Sequence, residues 1–409
     1  MCPLQTGATT RRQAVSELEL DHPVFDADNH YYEALDAFTR HLDPALGSRV
    51  IQWSEVNGRR YHVIGGRVSH AVTNPTFDPV ALPGAMYDYF RGNPDHRSPL
   101  EFLARREPIR PAYRDPEARL ATLDAQGMAG CLLFPTLGMI YEEPLAHDPV
   151  AVCHLFRAFN RWMAEEWTFN YRDRIFAAPY LTLADPAWAA EELEWALGSG
   201  ARTVVMRPAA PTTTLGQRNP FDPMFDAFWG LANEAGIAVV VHAADSGGSS
   251  NGYAVDGFAA TFGGGWKPSI KSFAIEQAIR DYLLTLIFEN HFERFPNLRI
   301  ASVENGAEYL PDVIKKIRST ANKMPGYWKN DPVETLRQHV WINPFWEDDV
   351  YQVADCIGSD RVIFGSDWPH IEGLPEPIEY VSELKSFTNE DRRMILFDNV
   401  QGLITLRPT

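Results

Sequence analysis

Short, nearly uninterrupted apolar runs recur along the chain at residues 24–28, 130–134, 175–181, 201–206, 238–242, 298–304, 341–343 and 362–366. Between them, apolar residues return every three or four positions over 117–126, 150–169, 186–197, 223–235, 270–292 and 307–317, then over 348–357, 378–386 and 389–404. Runs that are apolar on both faces predict strands of a parallel sheet covered on both sides, and the stretches between them predict amphipathic helices. Eight such alternations predict an α/β fold of the closed (β/α)8 TIM barrel type rather than an open doubly wound sheet. Residues 1–20 read as a flexible lead-in, and 21–409 as a single barrel domain.

Two segments break the alternation. Residues 31–115 form a large insertion after strand 1, rich in aromatic side chains such as Tyr32, Tyr87, Tyr89 and Phe90. It carries a hairpin pattern over 50–68 with Asn57-Gly58 as the turn. Residues 246–266 form a Gly-rich loop after strand 5, with seven glycines in 21 positions. Neither has the Gly-x-x-x-x-Gly-Lys-Ser/Thr spacing of a phosphate loop. Loops that follow barrel strands open on the catalytic face, so the first reads as a cap and the second as a lid.

The strand ends carry the candidate chemistry. Strand 1 ends in Asp26-Ala27-Asp28-Asn29-His30, strand 5 at His242, strand 6 at Glu304, and strand 8 at Asp367 with His370 three residues on. Asp28 and His30 are two apart, so an extended chain turns both to the same side. Several carboxylates in one pocket repel one another unless a divalent cation balances them. Asp28, His30, His242, Glu304, Asp367 and His370 are therefore candidate metal ligands, with Asp26 in a supporting or structural place. Mixed imidazole and carboxylate ligands without thiolate suit Zn, Mn or Fe, as one or two ions. Asp367 and Glu304 are the candidate catalytic groups. Arg207 at the end of strand 4 is a candidate anchor for a substrate carboxylate, and Asn305 and Trp368 are assigned to the substrate as well.

Composition narrows the partners. The 409 residues carry 37 basic and 54 acidic side chains, a net charge of −17, which argues against nucleic acid and anionic membrane. No 18 apolar residues run together, so no membrane span is expected. Arg11-Arg12 is not followed by an apolar segment of the kind an export signal needs. The four cysteines have no Cys-x-x-Cys spacing and suit a reducing cytoplasm. A small-molecule substrate is expected, and a homo-oligomer stays open.

These residues resemble the amidohydrolase superfamily, in its amidohydrolase-related branch similar to aminocarboxymuconate-semialdehyde decarboxylase. The likeness is carried by Asp26-Ala-Asp-Asn-His30, by Val239-Val-Val-His242, by Val303-Glu-Asn-Gly-Ala-Glu-Tyr-Leu-Pro311 and by Ile363-Phe-Gly-Ser-Asp-Trp-Pro-His370. Asp398-Asn399-Val400, near the end of the chain, is similar to that branch's last helix. The resemblance implies that Asp28 and His30 form the strand-1 metal pair, that His242 is the strand-5 ligand, and that Asp367 binds metal and handles protons. The chain departs from the branch at strand 6, where Glu304-Asn305 stands in place of a histidine; Glu308 matches the acidic partner of that histidine.

Four functions follow. Hydrolysis needs only a metal-bound water and Asp367 to accept its proton, and on the residues alone it is preferred. Non-oxidative decarboxylation of an unsaturated or aromatic acid is supported by Asp28 and weakened by the departure at strand 6. A carboxylate-rich two-metal site using Glu304 and His370 would suit oxygenation with Fe or Mn. A non-catalytic partner subunit is the fourth reading.

Overall fold

The computed structural model describes residues 20–247 and 270–409. The lead-in up to residue 19 and most of the glycine-rich loop lie outside the described residues.

Seven parallel strands appear where the apolar runs place them: β1 (Phe25–Tyr31), β2 (Gly130–Pro135), β3 (Ile175–Ala177), β4 (Thr203–Met206), β5 (Ala238–His242), β6 (Arg299–Val303) and β7 (Val340–Ile342). They form two arcs, β1-β2-β3 and β4-β5-β6-β7. The arcs join through Tyr180, which bridges Val205, with the Leu181 amide donating to the Val205 carbonyl at 2.8 Å. On the other side, the eighth run is not a ladder strand. It is a single extended pass that still closes the ring, with the Ile363 amide donating to the Ile342 carbonyl (2.9 Å) and the Ala27 amide to the Phe364 carbonyl (2.7 Å). Run 175–181 also leaves its ladder early, at Ala177. In both places the backbone carries only a few cross-strand bonds, so an apolar run marks the position without guaranteeing a full strand.

The covering helices begin with a repeated device. Asp115, Asp148 and Asp185 cap α1 (Pro116–Ala125), α2 (Pro149–Glu166) and α3 (Pro186–Gly198), each accepting the amide three residues on. Proline follows each cap, where its missing N–H costs nothing and its fixed φ suits the first turn. Helix α4 (Asp226–Ala235) stops at Gly236, whose φ is +55° and where a Cβ would lie 2.1 Å from the Arg407 carbonyl oxygen, so no larger residue fits. The strands form the core: all five residues of β5 are buried, as are those of β6. Between β1 and α1, Ile51–Val56 and Arg59–Ile64 pair as an antiparallel hairpin. Asn57 and Gly58 take φ of 53° and 73°, the left-handed pair that a two-residue hairpin turn requires. Among the described residues no helix is long and apolar enough to cross a membrane.

Arg119 ties this framework to the end of β1. It is fully buried in α1 and donates to the carbonyls of Ala112 and His30 (2.7 Å each) and to the Asn29 side chain, beneath the Trp368 ring. Removing it strands three buried acceptors, each costing about 1–3 kcal/mol. Arg119→Met is therefore expected to lower unfolding stability by about 3 kcal/mol or more, read from the denaturation midpoint at unchanged slope. A loss below about 1 kcal/mol would show that the tie is dispensable.

Candidate metal centre

Strand 1 delivers its side chains to the barrel mouth through an irregularity between Asp26 and Asn29. Asp28 and His30 converge there, with His30 Nε2 3.2 Å from Asp28 Oδ1. From β5, His242 Nε2 lies 3.4 Å from Asp28 Oδ1 and 3.3 Å from Glu304 Oε2, which follows β6. Glu304 and Asp367 both take φ near +55°, a left-handed backbone that is strained for these residues and turns their side chains off the strand direction. His30 Nε2 is 3.5 Å from each of their carboxylates. Asp28, His30, His242 and Glu304 form one group that could hold a metal; His30, Glu304, Asp367 and His370 form a second. All six candidate ligands therefore meet, from four places in the ring.

The outer faces of the three imidazoles fix what they present inward. His30 Nδ1 lies 3.1 Å from the Pro135 carbonyl and His242 Nδ1 2.9 Å from the Ala243 carbonyl. A carbonyl only accepts, so each Nδ1 carries the proton and each Nε2 faces the centre. The Thr136 hydroxyl donates to the Tyr31 carbonyl at 2.8 Å, so at its 2.9 Å contact with His370 it is the ring Nε2 that donates. His370 Nδ1 is thus a bare lone pair, 2.6 Å from Asp367 Oδ1. These assignments follow from the hydrogen-bond network. Three buried atoms, His30 Nε2, Asp367 Oδ1 and His370 Nδ1, find no hydrogen bond of good geometry. Inward lone pairs fixed by outer partners, among crowded carboxylates, are what a divalent cation fits.

Charge responds accordingly. Burial would lower the His30 pKa, but Asp28 and Glu304 raise it to about 10. Burial opposes the ionised form of Asp28, yet the adjoining His242 and His30 imidazoles hold it below its ordinary value. The centre thus favours a positive charge at the His30 nitrogen, either a proton or a metal ion. Burial and then the Glu304 carboxylate push Asp367 well above the usual range, while burial holds His370 well below its own. Burial and the Glu304 carboxylate thus favour the protonated form of Asp367, whose Oδ1 stands 2.6 Å from His370 Nδ1.

Two cavities open on this centre. One, of about 310 Å³, reaches His30, His242, Glu304 and His370 and is walled mainly by apolar side chains of residues 71–106. The other, of about 370 Å³, reaches Asp28, Glu304 and Asp367 and is lined by further carboxylates, including Glu276, Glu308 and Glu347. Phe90, Glu304 and Glu372 line both.

The three residues assigned to substrate lie elsewhere. Arg207 is turned into a buried network with Glu142 (3.3 Å), Glu143 (2.6 Å) and the Asp245 carbonyl (2.8 Å), and lines neither cavity. Its ion pairs already consume the charge that would anchor a carboxylate. Asn305 ties β5 to β6 through the Val241 and Val303 carbonyls, and Trp368 is buried against Arg119 and Tyr113. Glu308 is an exposed side chain of the acidic cavity. Sequence reasoning missed Thr136, which stands at the end of β2 where the strand-end rule would have found it. It also missed Glu372, two residues past His370, whose carboxyl burial and Glu304 raise to about 7.

Residues 95–400 match the family model described as Amidohydrolase. An amidohydrolase from Mycobacterium avium subsp. paratuberculosis K-10 is 40% identical, with a TM-score of 0.87 over 95% of this chain and 100% of that one. A 5-carboxyvanillate decarboxylase from Novosphingobium aromaticivorans, solved with manganese, shares the fold at 15% identity and a TM-score of 0.61, over 94% and 96% of the two chains. A Dictyostelium discoideum 2-amino-3-carboxymuconate-6-semialdehyde decarboxylase is 23% identical over 150 residues, which are 35% of this chain and 40% of that protein. The alignment thus spans well under half of that curated relative.

Gly365 provides a test of the centre. A Cβ there would lie 2.4 Å from the Asp28 Cβ and 2.9 Å from the Asn343 amide. Gly365→Ala must displace Asp28, and the affinity for Mn²⁺ measured by calorimetry is expected to fall roughly 10–100-fold. Unchanged affinity would remove Asp28 from the ligand set.

Proposed function

Because the chain belongs to the amidohydrolase family, we propose that it is a metal-dependent carboxy-lyase, releasing CO₂ from a small carboxylic acid held in the apolar cavity. The observation that carries this is the 2.6 Å approach of Asp367 Oδ1 to His370 Nδ1 beside a centre rich in metal ligands, where burial and Glu304 favour the protonated carboxyl of Asp367. Loss of CO₂ leaves an electron pair on carbon that must take up a proton, so the reaction needs an acid at that place. The branch's usual strand-6 histidine is replaced by Glu304, and the Asp367–His370 pair supplies the acid instead. The decarboxylase names of the curated relative and of the solved structure from Novosphingobium support the same choice.

In this scheme Asp28, His30, His242 and Glu304 would hold a divalent cation, with manganese the first candidate. When bound, the ion supplies Lewis-acid binding of the substrate carboxylate, the task Arg207 is not free to do. Asp367 gives its proton to the carbon that loses CO₂, and His370, held by Thr136, keeps the carboxyl aimed. The cavity walls are mainly apolar, and the segment 31–115 is the cap that supplies most of them within a single domain. The balance is one carboxylate and one proton in, one C–H bond and one CO₂ out. Hydrolysis takes second place because it needs Asp367 ionised to accept a proton, against the direction in which burial and Glu304 push it. The group His30, Glu304, Asp367 and His370 favours a further reading, in which a second ion replaces the shared proton.

Manganese-loaded protein is expected to contain close to one metal per chain by elemental analysis and to release CO₂ in a screen of carboxylic acids, with chelation abolishing release. Asp367→Asn should cut turnover roughly 10²–10⁴-fold at unchanged metal content. Retained turnover would overturn the proton assignment. Close to two metals per chain, falling on Glu304→Gln, would favour the two-ion site.

A further inference from the structure

Resting on the carboxy-lyase reading, we infer that the substrate is an oxo acid whose carboxylate meets the ligand cluster and whose far carbonyl, across an unsaturated body, meets Arg106. The cavity of about 310 Å³ has two unlike ends. His30, His242 and Glu304 are buried at one, while Arg106 and Thr73 are exposed at the other. Phe77, Val80 and Met86 are buried in its apolar wall. Among the described residues, Arg106 is the sole Lys or Arg that lines either cavity. Its guanidinium is uncommitted, with no hydrogen-bond or ion-pair partner among those residues. The neighbouring carboxylate of Glu107 is taken by Arg110 and by the Tyr113 hydroxyl (2.6 Å). Backbone pairing of Arg106 with Ala81, and of Glu107 with Val80, fixes Arg106 to the strand that supplies the wall. Two further donors line the same cavity. The Thr73 hydroxyl has no partner among the described residues, and the Asn74 amide gives one N–H to the Asp78 carbonyl (3.3 Å) and keeps a second.

A carboxylate leaves as CO₂ only if the electron pair of the broken C–C bond has somewhere to rest. Asp367 supplies the proton that ends the reaction, not the place where the pair waits. In an oxo acid the pair moves through the conjugated body onto the carbonyl oxygen, giving an enolate. When the proton reaches carbon, the pair returns as a C–H bond and the carbonyl is restored. One C–C bond breaks and one C–H bond forms, with no oxidant or reductant. Donors aimed at that oxygen favour the enolate over the carbonyl, because charge-assisted hydrogen bonds strengthen as the oxygen becomes negative. The apolar wall suits the uncharged body of such an acid. A second carboxylate would match the charge of Arg106, but it is already anionic and takes up the pair poorly.

The test is calorimetric binding to manganese-loaded, full-length protein of 4-formylbenzoate, 4-methylbenzoate and terephthalate. 4-Formylcinnamate and 4-methylcinnamate supply the same comparison on a longer body. In at least one pair the formyl acid is expected to bind roughly fivefold or more tightly than the methyl acid. Arg106→Met keeps the apolar stem and removes the donors, so it should bring that ratio within roughly twofold. Affinities for manganese and for the methyl acid should stay unchanged in the variant. Ratios near one in both pairs of the unsubstituted protein overturn the inference whether or not the variant folds. A ratio that survives Arg106→Met overturns it as well, as does a gain at Arg106 for terephthalate with none for either formyl acid. Turnover plays no part in these measurements. A formyl preference lost in Arg106→Met, with no CO₂ from any acid, sinks the carboxy-lyase reading alone. Release of CO₂ by a protein without that preference sinks the inference alone.

Discussion

The seam between β1 and residues 362–368 is the joint on which the rest of the molecule turns. No regular ladder closes the barrel there; the carboxylate of Asp26 does. It accepts from the Ser366 amide (2.9 Å) and hydroxyl (2.6 Å), from the Asn29 side chain (2.8 Å) and from the Asp28 amide (3.1 Å). Burial pushes its pKa to about 6 even with these donors in place. Asp28 and His30 lie on one side of the seam and Asp367 and His370 on the other, so a carboxylate outside the cluster sets the spacing within it. The backbone repeats the joint, with the Asp367 amide on the Asp28 carbonyl (2.8 Å) and the His30 amide on the Trp368 carbonyl (2.8 Å). Four side chains from two distant stretches are thereby held as one rigid body.

That joint gathers negative charge into a largely buried cluster. Asp28, Glu304, Asp367 and Glu372 lie within one enclosure, and the described residues bring no Lys or Arg into its centre. Compensation must come from a proton or a metal ion. The two sides differ: His30 and His242 flank Asp28 on one, while on the other burial and Glu304 favour the protonated form of Asp367. Acid chemistry and metal binding can therefore adjoin without competing for one atom.

How much of this was legible follows from what each signal encodes. Apolar runs encode burial on both faces, which is why 238–242 was read to the residue. They do not encode hydrogen bonding, which is why 362–366 reads as a strand yet bonds as a single pass. Strand-end position encodes proximity to the barrel mouth and brought out Asp28, His30, His242, Glu304, Asp367 and His370. It is silent on what waits beside a side chain. Arg207 stands at a strand end as well, but its fate is decided by Glu142 and Glu143, which approach from beyond β2 and carry no mark in the sequence of having done so. Asn305 and Trp368 adjoin ligands along the chain, and successive side chains on an extended backbone point opposite ways. The balance between hydrolysis and decarboxylation was beyond pattern, because it rests on the protonation of one carboxyl, a property of burial and neighbours.

The wall of the apolar cavity has a consequence of another kind. Val72, Phe77, Val80, Met86 and Phe90 come from one continuous stretch that contributes none of the six candidate ligands. It meets the ligand segment through its backbone, the Gly84 amide donating to the His370 carbonyl (2.9 Å) and the Met86 amide to the Ile371 carbonyl (2.8 Å). Side-chain substitutions in the stretch can therefore reshape the cavity wall without replacing a ligand, whereas a shift of its backbone at residues 84–86 would reach His370.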